Sequence, residues 1–238
     1  MRITTWNVRG IIAPDKRRML KRHLARLASE VILIQETKCN LDEGNRFVSN
    51  MKEWSGLFQP AVGRASGLGV LWRSFAVEVE RKNGGSNWIQ CKIRCKQRGF
   101  EFYLWNVYGP KHSKEKETLW EELYESQVAT KNEKIIMGGD YNALLDLTEK
   151  KGGTNKITKD MLAFGDFIRR CNLSDCIPLE GWFTWTNRRR GFSNIAERLD
   201  RFLSGNEWLK EGIQLTTKVL PLSLSDHYPV QLEVGERI

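Results

Sequence analysis

The chain has 238 residues, 40% of them hydrophobic, enough to bury a sizeable core within one domain spanning 1–238. Its 38 lysines and arginines outnumber 29 acids, and the resulting net charge of +9 suits a polyanionic partner such as nucleic acid. Arg2, Asn7 and Arg9 interrupt any leader-like run, and no apolar stretch approaches the length of a membrane span. The five cysteines form no Cys-x-x-Cys pair, so the expectation is a soluble, reduced protein without a zinc site or a membrane partner.

Taken in order, Arg2 to Trp6 alternates faces as a strand and ends on Asn7. Asp15 is positioned to cap a helix whose apolar face carries Met19, Leu20, Leu24 and Leu27, with the neighbouring basic residues solvated. Val31 to Ile34 reads as a strand covered on both sides and stops at Gln35 and Glu36. From Gly67 the helical period disappears. Runs at Leu68 to Trp72, Val77 to Glu80, Trp88 to Arg94 and Phe100 to Tyr108 read as antiparallel strands, with turns at Asn83-Gly84-Gly85 and Gln97-Arg98-Gly99.

Leu119, Trp120, Leu123, Tyr124 and Val128 then mark one stripe of a helix. A buried strand follows from Lys134 and runs into Gly139, Asp140, Tyr141 and Asn142; the glycines leave room for a ligand or a neighbouring backbone. A third helix covers Lys159 to Cys171, and strands are expected at Trp182 to Thr186, Ile195 to Leu203, Leu215 to Val219 and Tyr228 to Val234, with a short helix around Trp208. Trp72, Trp88, Trp105 and Trp120 lie within apolar patterns and read as core, while His23 and His112 read as surface. Strands and helices mixed in this way predict an α/β fold, two mixed sheets packed face to face with helices outside.

Polar residues recur at the strand ends: Asn7, Glu36, Tyr108, Asp140 with Asn142, Asp200, and Asp226 with His227. These are the groups a metal-dependent phosphodiester hydrolase needs. A hard cation such as Mg²⁺ is held by one or two carboxylates, with Glu36 the first candidate and Asp226 a further contact, direct or through water. Asp140 braced by Asn142 fits the base that deprotonates an attacking water. His227 as a cation and the Tyr108 hydroxyl supply donors to developing phosphoryl charge, and Asp200 is a partner that would raise the histidine's pKa and fix its tautomer. The simpler reading of each residue is an ordinary strand-end turn, or, for Asp200, a surface ion pair with Arg198 or Arg201.

In order along the chain, Trp6-Asn7-Val8-Arg9-Gly10, Gln35-Glu36-Thr37, Asn106-Val107-Tyr108-Gly109-Pro110, Gly139-Asp140-Tyr141-Asn142, Arg198-Leu199-Asp200 and Ser225-Asp226-His227 resemble the motifs of the endonuclease/exonuclease/phosphatase superfamily. The resemblance implies a four-layered α/β sandwich with the site at one end of two packed sheets, and Mg²⁺ or Mn²⁺ as cofactor. Through Trp6 to Gly10, Gln35 to Lys38, Val107 to Pro110, Phe183 to Asn187 and Leu222 to Pro229, the chain is most similar to the endonuclease domain of plant non-LTR (LINE-type) retrotransposons. That implies nicking of one strand of double-stranded DNA in the nucleus, leaving a 3′-hydroxyl that primes a reverse transcriptase domain elsewhere in the element. Abasic-site repair, 3′ exonuclease activity and a catalytically silent nucleic-acid-binding role are the alternatives.

Two departures from the repair enzymes stand out. Arg9 occupies the place of an acidic residue, and Glu197 the place of a tryptophan beside the pocket for a flipped-out sugar; Asn7 is accordingly a metal contact or a brace for Asp140. Between the strands carrying Thr184 and Asp200, the loop Asn187 to Asn194 holds Arg188, Arg189, Arg190 and Phe192. It reads either as a mobile solvated turn or as a DNA contact in which Thr184 and the arginines approach a groove and Phe192 wedges a base step.

Overall fold

The structure, a computed structural model, describes residues 1–61, 67–130, 132–154, 156–221 and 224–237; Leu222 and Ser223 of the Leu222 to Pro229 stretch lie outside them. The two most apolar runs, Val31–Gln35 and Ile135–Asp140, are strands in which every residue is buried. Each sits inside a different sheet. One sheet has seven strands, in the spatial order Pro178–Glu180, Ile213–Val219, Val230–Arg237, Arg2–Asn7, Val31–Gln35, Leu68–Arg73 and Trp54–Gln59. The other has six, in the order Leu173–Asp175, Asp200–Gly205, Ile135–Asp140, Glu101–Tyr108, Trp88–Cys95 and Val77–Gly85. Both mix parallel and antiparallel pairs.

The sheets face one another across a core of Ile3, Leu33, Val70, Ile89, Phe102, Leu104, Ile136, Phe202 and Leu232. Burying each such side chain stabilises the fold by roughly 1.5–3 kcal/mol. Helices Pro14–Arg26 and Leu41–Ser49 cover the outer face of the seven-stranded sheet, burying Leu20, Leu24 and Phe47 against Trp6, Ile32 and Ile34. Helices Ser113–Val128 and Lys159–Arg170 cover the other outer face, where Trp120, Phe164, Phe167 and Tyr141 stack with ring centroids 5.0–6.3 Å apart. The result is the expected four-layered sandwich. Among the described residues no helix is long and apolar enough to cross a membrane.

Several local expectations are corrected. The helix after the first strand begins with Pro14, whose fixed φ and missing N–H suit a first turn; Ala13 is the N-cap, and Asp15 pairs with Arg18 instead of capping. Met19 is exposed and Trp72 only half-buried. The Val77–Gly85 strand runs through Asn83-Gly84-Gly85, and the turn falls at Ser86 and Asn87. Leu41–Ser49 and Trp54–Gln59 were not anticipated, although Asn40 and Glu43 form a complete capping box.

The stretch from Ile195 to Leu203 is two strands rather than one. Ala196–Glu197 pairs with Trp185–Thr186 and Lys150–Lys151 in a small third sheet. At Arg198, whose N–H bonds the Glu149 carbonyl, the chain leaves that sheet, and Asp200–Gly205 joins the six-stranded one.

Candidate active site

Three strands of the six-stranded sheet deliver side chains to one rung. Asp140 lies opposite Tyr108 in the parallel pairing and opposite Asp200 in the antiparallel pairing. The glycines before Asp140 serve strand packing: a Cβ on Gly139 would collide with the Val107 carbonyl, and one on Gly138 with the Phe202 ring. Beyond the strand, Asn142 turns at φ 47°, a conformation asparagine tolerates better than most residues. Its N–H donates to Asp140 Oδ1 at 3.0 Å, and its amide donates to the Gly109 carbonyl at 2.7 Å. Asn142 therefore positions Asp140 from behind.

The facing sheet contributes Asn7 and Glu36. Underneath them Gln35 reaches across the sheets to Asn106 at 2.6 Å, which fixes the two layers at this end. Glu36 leaves its strand at φ 51°, a left-handed turn costing about 1–2 kcal/mol and held by the Gly10 N–H on its carbonyl. The Asn7 amide donates to Glu36 Oε1 at 3.0 Å and to Asp140 Oδ2 at 2.8 Å, while its own oxygen accepts the Arg9 N–H. Asn7 thus bridges the two carboxylates with its amide N–H groups, the bracing contact that is one of the two roles open to it. Tyr108 donates its hydroxyl to the same Glu36 oxygen at 3.0 Å. Burial alone would raise the Glu36 pKa, but the Asn7 hydrogen bond, Arg9, Tyr108 and Lys38 together hold it below the usual value. Glu36 is an ionised, oxygen-donating group, which fits a hard divalent cation.

His227 closes the site. Its Nδ1 lies 2.9 Å from Asp200 Oδ2, and its Nε2 stands 3.8 Å from Asp140 Oδ2, beyond hydrogen-bonding reach. Burial opposes the charged ring, yet Asp200 and then Asp140 outweigh it and push the pKa up to about 9. Asp140 moves the same way for a different reason: burial, offset by His227 but reinforced by Asp200, pushes its pKa up to about 7. Asp140, Asp200 and His227 also offer atoms within 4.8 Å of one another, close enough to hold a metal. The short Asp200–His227 contact is, however, that of an ion pair already made. Asp200 does not pair with Arg198 or Arg201, which bond Glu149 and Asp175 instead.

Two expected residues, Asp226 and Thr184, make contacts other than those assigned to them, while Arg188 stays exposed on the hairpin. Asp226 receives both Nε and Nη2 of Arg9, at 2.9 and 2.8 Å, and the Trp185 indole N–H at 3.0 Å. Its carboxylate is thus engaged within the protein, which disfavours the metal-contact role; burial would raise its pKa, but the Arg9 and Trp185 hydrogen bonds lower it overall. Thr184 is buried, and its hydroxyl accepts the N–H groups of Leu199 and Asp200 at 2.9 Å each, so it positions Asp200 and does not reach a DNA surface. Arg188 donates to the Ser225 carbonyl, beside the site.

The hairpin is not a loose turn. Asn187 Oδ1 accepts from Arg189 and Ile195, its amide reaches the Ser193 carbonyl, and the Asn194 amide bonds the Thr186 hydroxyl and the Arg189 carbonyl. Arg189, Arg190 and Phe192 project from this frame, Phe192 fully exposed.

Sequence reading missed the supports of the site: Trp185 on Asp226, Trp6 donating its indole N–H to the His227 carbonyl, and the buried Arg198, Arg201, Glu149 and Asp175 network. The arginines flanking Asp200 at positions 198 and 201 were the signal for the network, but their partners lie 23 to 52 residues away.

The sandwich and the convergence of acidic, amide and imidazole groups at one end of its sheets define the fold class of nucleases and phosphatases. Residues 4–227 match the Endonuclease/Exonuclease/phosphatase family, and the chain belongs to it. An exodeoxyribonuclease of Bacillus subtilis (strain 168) is 26% identical over 256 residues, covering 99% of this chain and 100% of that protein. The crystal structure of an AP endonuclease from Leishmania major superposes with a TM-score of 0.80 at 17% identity, covering 99% of this chain and 87% of the other. The endonuclease domain of TRAS1, a telomere-specific non-LTR retrotransposon, superposes with a TM-score of 0.72 at 17% identity, covering 98% and 97%.

Proposed function

We propose that the chain is a divalent-metal-dependent DNA endonuclease that nicks one strand of duplex DNA and leaves a 3′-hydroxyl, as the endonuclease of a LINE-type retrotransposon of the plant kind. The observation that carries this is the double hydrogen bond of the Asn7 amide, which ties Glu36 and Asp140 from opposite sheets into one site. Glu36 would hold Mg²⁺ or Mn²⁺, and a bound cation would neutralise charge developing on the phosphoryl oxygens. Asp140, raised toward neutrality and held by Asn7 and Asn142, takes the proton of the attacking water. His227, held charged and in a fixed orientation by Asp200, offers Nε2–H to a phosphoryl oxygen. Tyr108 keeps Glu36 in place.

Two features support nicking of ordinary duplex over abasic-site repair. Glu197, where the repair enzymes carry an aromatic wall, is paired with Lys150 at 2.8 Å, and Arg9 replaces an acid with a cation. The exposed Arg189, Arg190 and Phe192 on a braced hairpin beside Ser225 suit contact with a DNA groove. A reverse transcriptase acting in the nucleus would use the 3′ end so formed.

The test is incubation of supercoiled plasmid, an abasic duplex and a phosphoinositide with the protein, in Mg²⁺ and in EDTA. EDTA-sensitive conversion of plasmid to open circles whose nicks a DNA polymerase extends directly is the expected result. Cleavage confined to the abasic duplex would establish repair instead, and no turnover of any substrate would leave a binding protein.

A further inference from the structure

Arg9 stands between the two carboxylates nearest the mouth of the site. It grips Asp226 through Nε and Nη2, and its Nη1 lies 3.8 Å from Glu36 Oε1. Lys38 Nζ is 3.7 Å from the other Glu36 oxygen. The placement is built into the backbone: Arg9 adopts φ 52°, its N–H bonds Asn7 Oδ1, and Lys16 Nζ bonds its carbonyl at 2.8 Å. Trp185 adds a further donor to Asp226 Oδ2, so both oxygens of that carboxylate already accept N–H groups.

We propose that Arg9 is a built-in counter-cation that withdraws Asp226 from metal binding, so that the site takes a single divalent ion at Glu36 and holds it weakly. The inference rests on the reading of Glu36 as a ligand. A guanidinium within 4 Å of the ligating carboxylate repels a divalent cation directly, and it occupies the second carboxylate that would otherwise share the ion. Affinity is thereby traded for a permanent positive charge beside the reacting phosphate.

The test is Mn²⁺ binding to the DNA-free protein, followed by electron paramagnetic resonance and calorimetry. One ion per chain is expected, and Arg9→Ala should tighten it at least about fivefold, because a nearby like charge is removed. Arg9→Gln, which keeps the bulk of the side chain, carries the same expectation should Arg9→Ala not fold. A second ion on the unaltered protein, or a smaller tightening in the folded variant, overturns the proposal. Absence of any bound ion overturns the Glu36 assignment itself, and the proposal with it.

Discussion

Asp140 and Asp200 lie opposite one another on adjacent antiparallel strands, and the imidazole of His227 faces both, pairing with Asp200 at 2.9 Å and standing 3.8 Å from Asp140. The asymmetry separates their tasks. Asp200 is committed to the histidine, whereas Asp140 keeps a carboxylate whose proton is lost near neutral pH.

Asp140→Ala and His227→Ala are each expected to reduce nicking by on the order of 10² to 10³, the loss typical of one preorganised transition-state group. Both variants should still fold, with His227→Ala forfeiting the stability that the histidine's ion pair with Asp200 supplies. Purified variants that cleave plasmid at near-normal rates would remove both residues from the mechanism.

The metal-free protein should lose stability as pH rises from neutrality. His227 is raised from 6.5 to about 9, so its contribution is complete below pH 6.5 and disappears as pH passes through about 9. Asp140, raised from 3.8 to about 7, acts in the same direction at lower pH, its share disappearing as pH passes through about 7. The His227 share is on the order of 3 kcal/mol. Urea unfolding at several pH values measures it, and Asp200→Asn should flatten most of the decline between pH 6.5 and 9. An equally steep decline in that variant would mean that Asp200 is not the histidine's partner in solution.

Glu36→Gln should raise the Mg²⁺ concentration needed for half-maximal nicking by about tenfold or more, because an amide oxygen is a poor ligand for a hard cation. A metal titration that matches the unaltered protein would place the cation elsewhere.

Glu149 accepts from both Arg198 and Arg201 at 2.7–2.8 Å with 2% of its side chain exposed. Glu149→Ala leaves buried guanidinium charge short of a partner, and should cost about 3–5 kcal/mol. Calorimetric unfolding reports the loss, and a shift of only a degree or two would show that Asp175 alone can satisfy both arginines.

Replacing Arg189 and Arg190 with Gly and Ser should flatten the pattern of nicks along a long duplex and weaken binding. The slope of log affinity against log salt should fall by about 0.9 for each DNA phosphate that the altered hairpin no longer neutralises. The chemical step on saturating substrate should persist. A parental nick pattern with a parental salt slope would reduce the hairpin to a surface turn.

Hydrophobic period and turn chemistry are local properties, and they made the buried strands ending at Gln35 and Asp140, the helices after Thr158 and His112, and the row of polar strand ends legible from residue order alone. The ordered motifs made the family legible as well. Boundaries slipped where tertiary contacts override local preference, as at Arg198, where a backbone bond to Glu149 diverts the chain between sheets. Only the packed structure decided which charge meets which. Asn7 meets Asp140 across 133 residues of sequence, and Arg9 meets Asp226 across 217. Glu36, Asp140 and Asp226 are all carboxylates at strand ends in the sequence, yet one is held ionised, one is pushed to about 7 and one is bound to an arginine. Desolvation and distant charge set those differences, and neither quantity exists until the sheets close on one another.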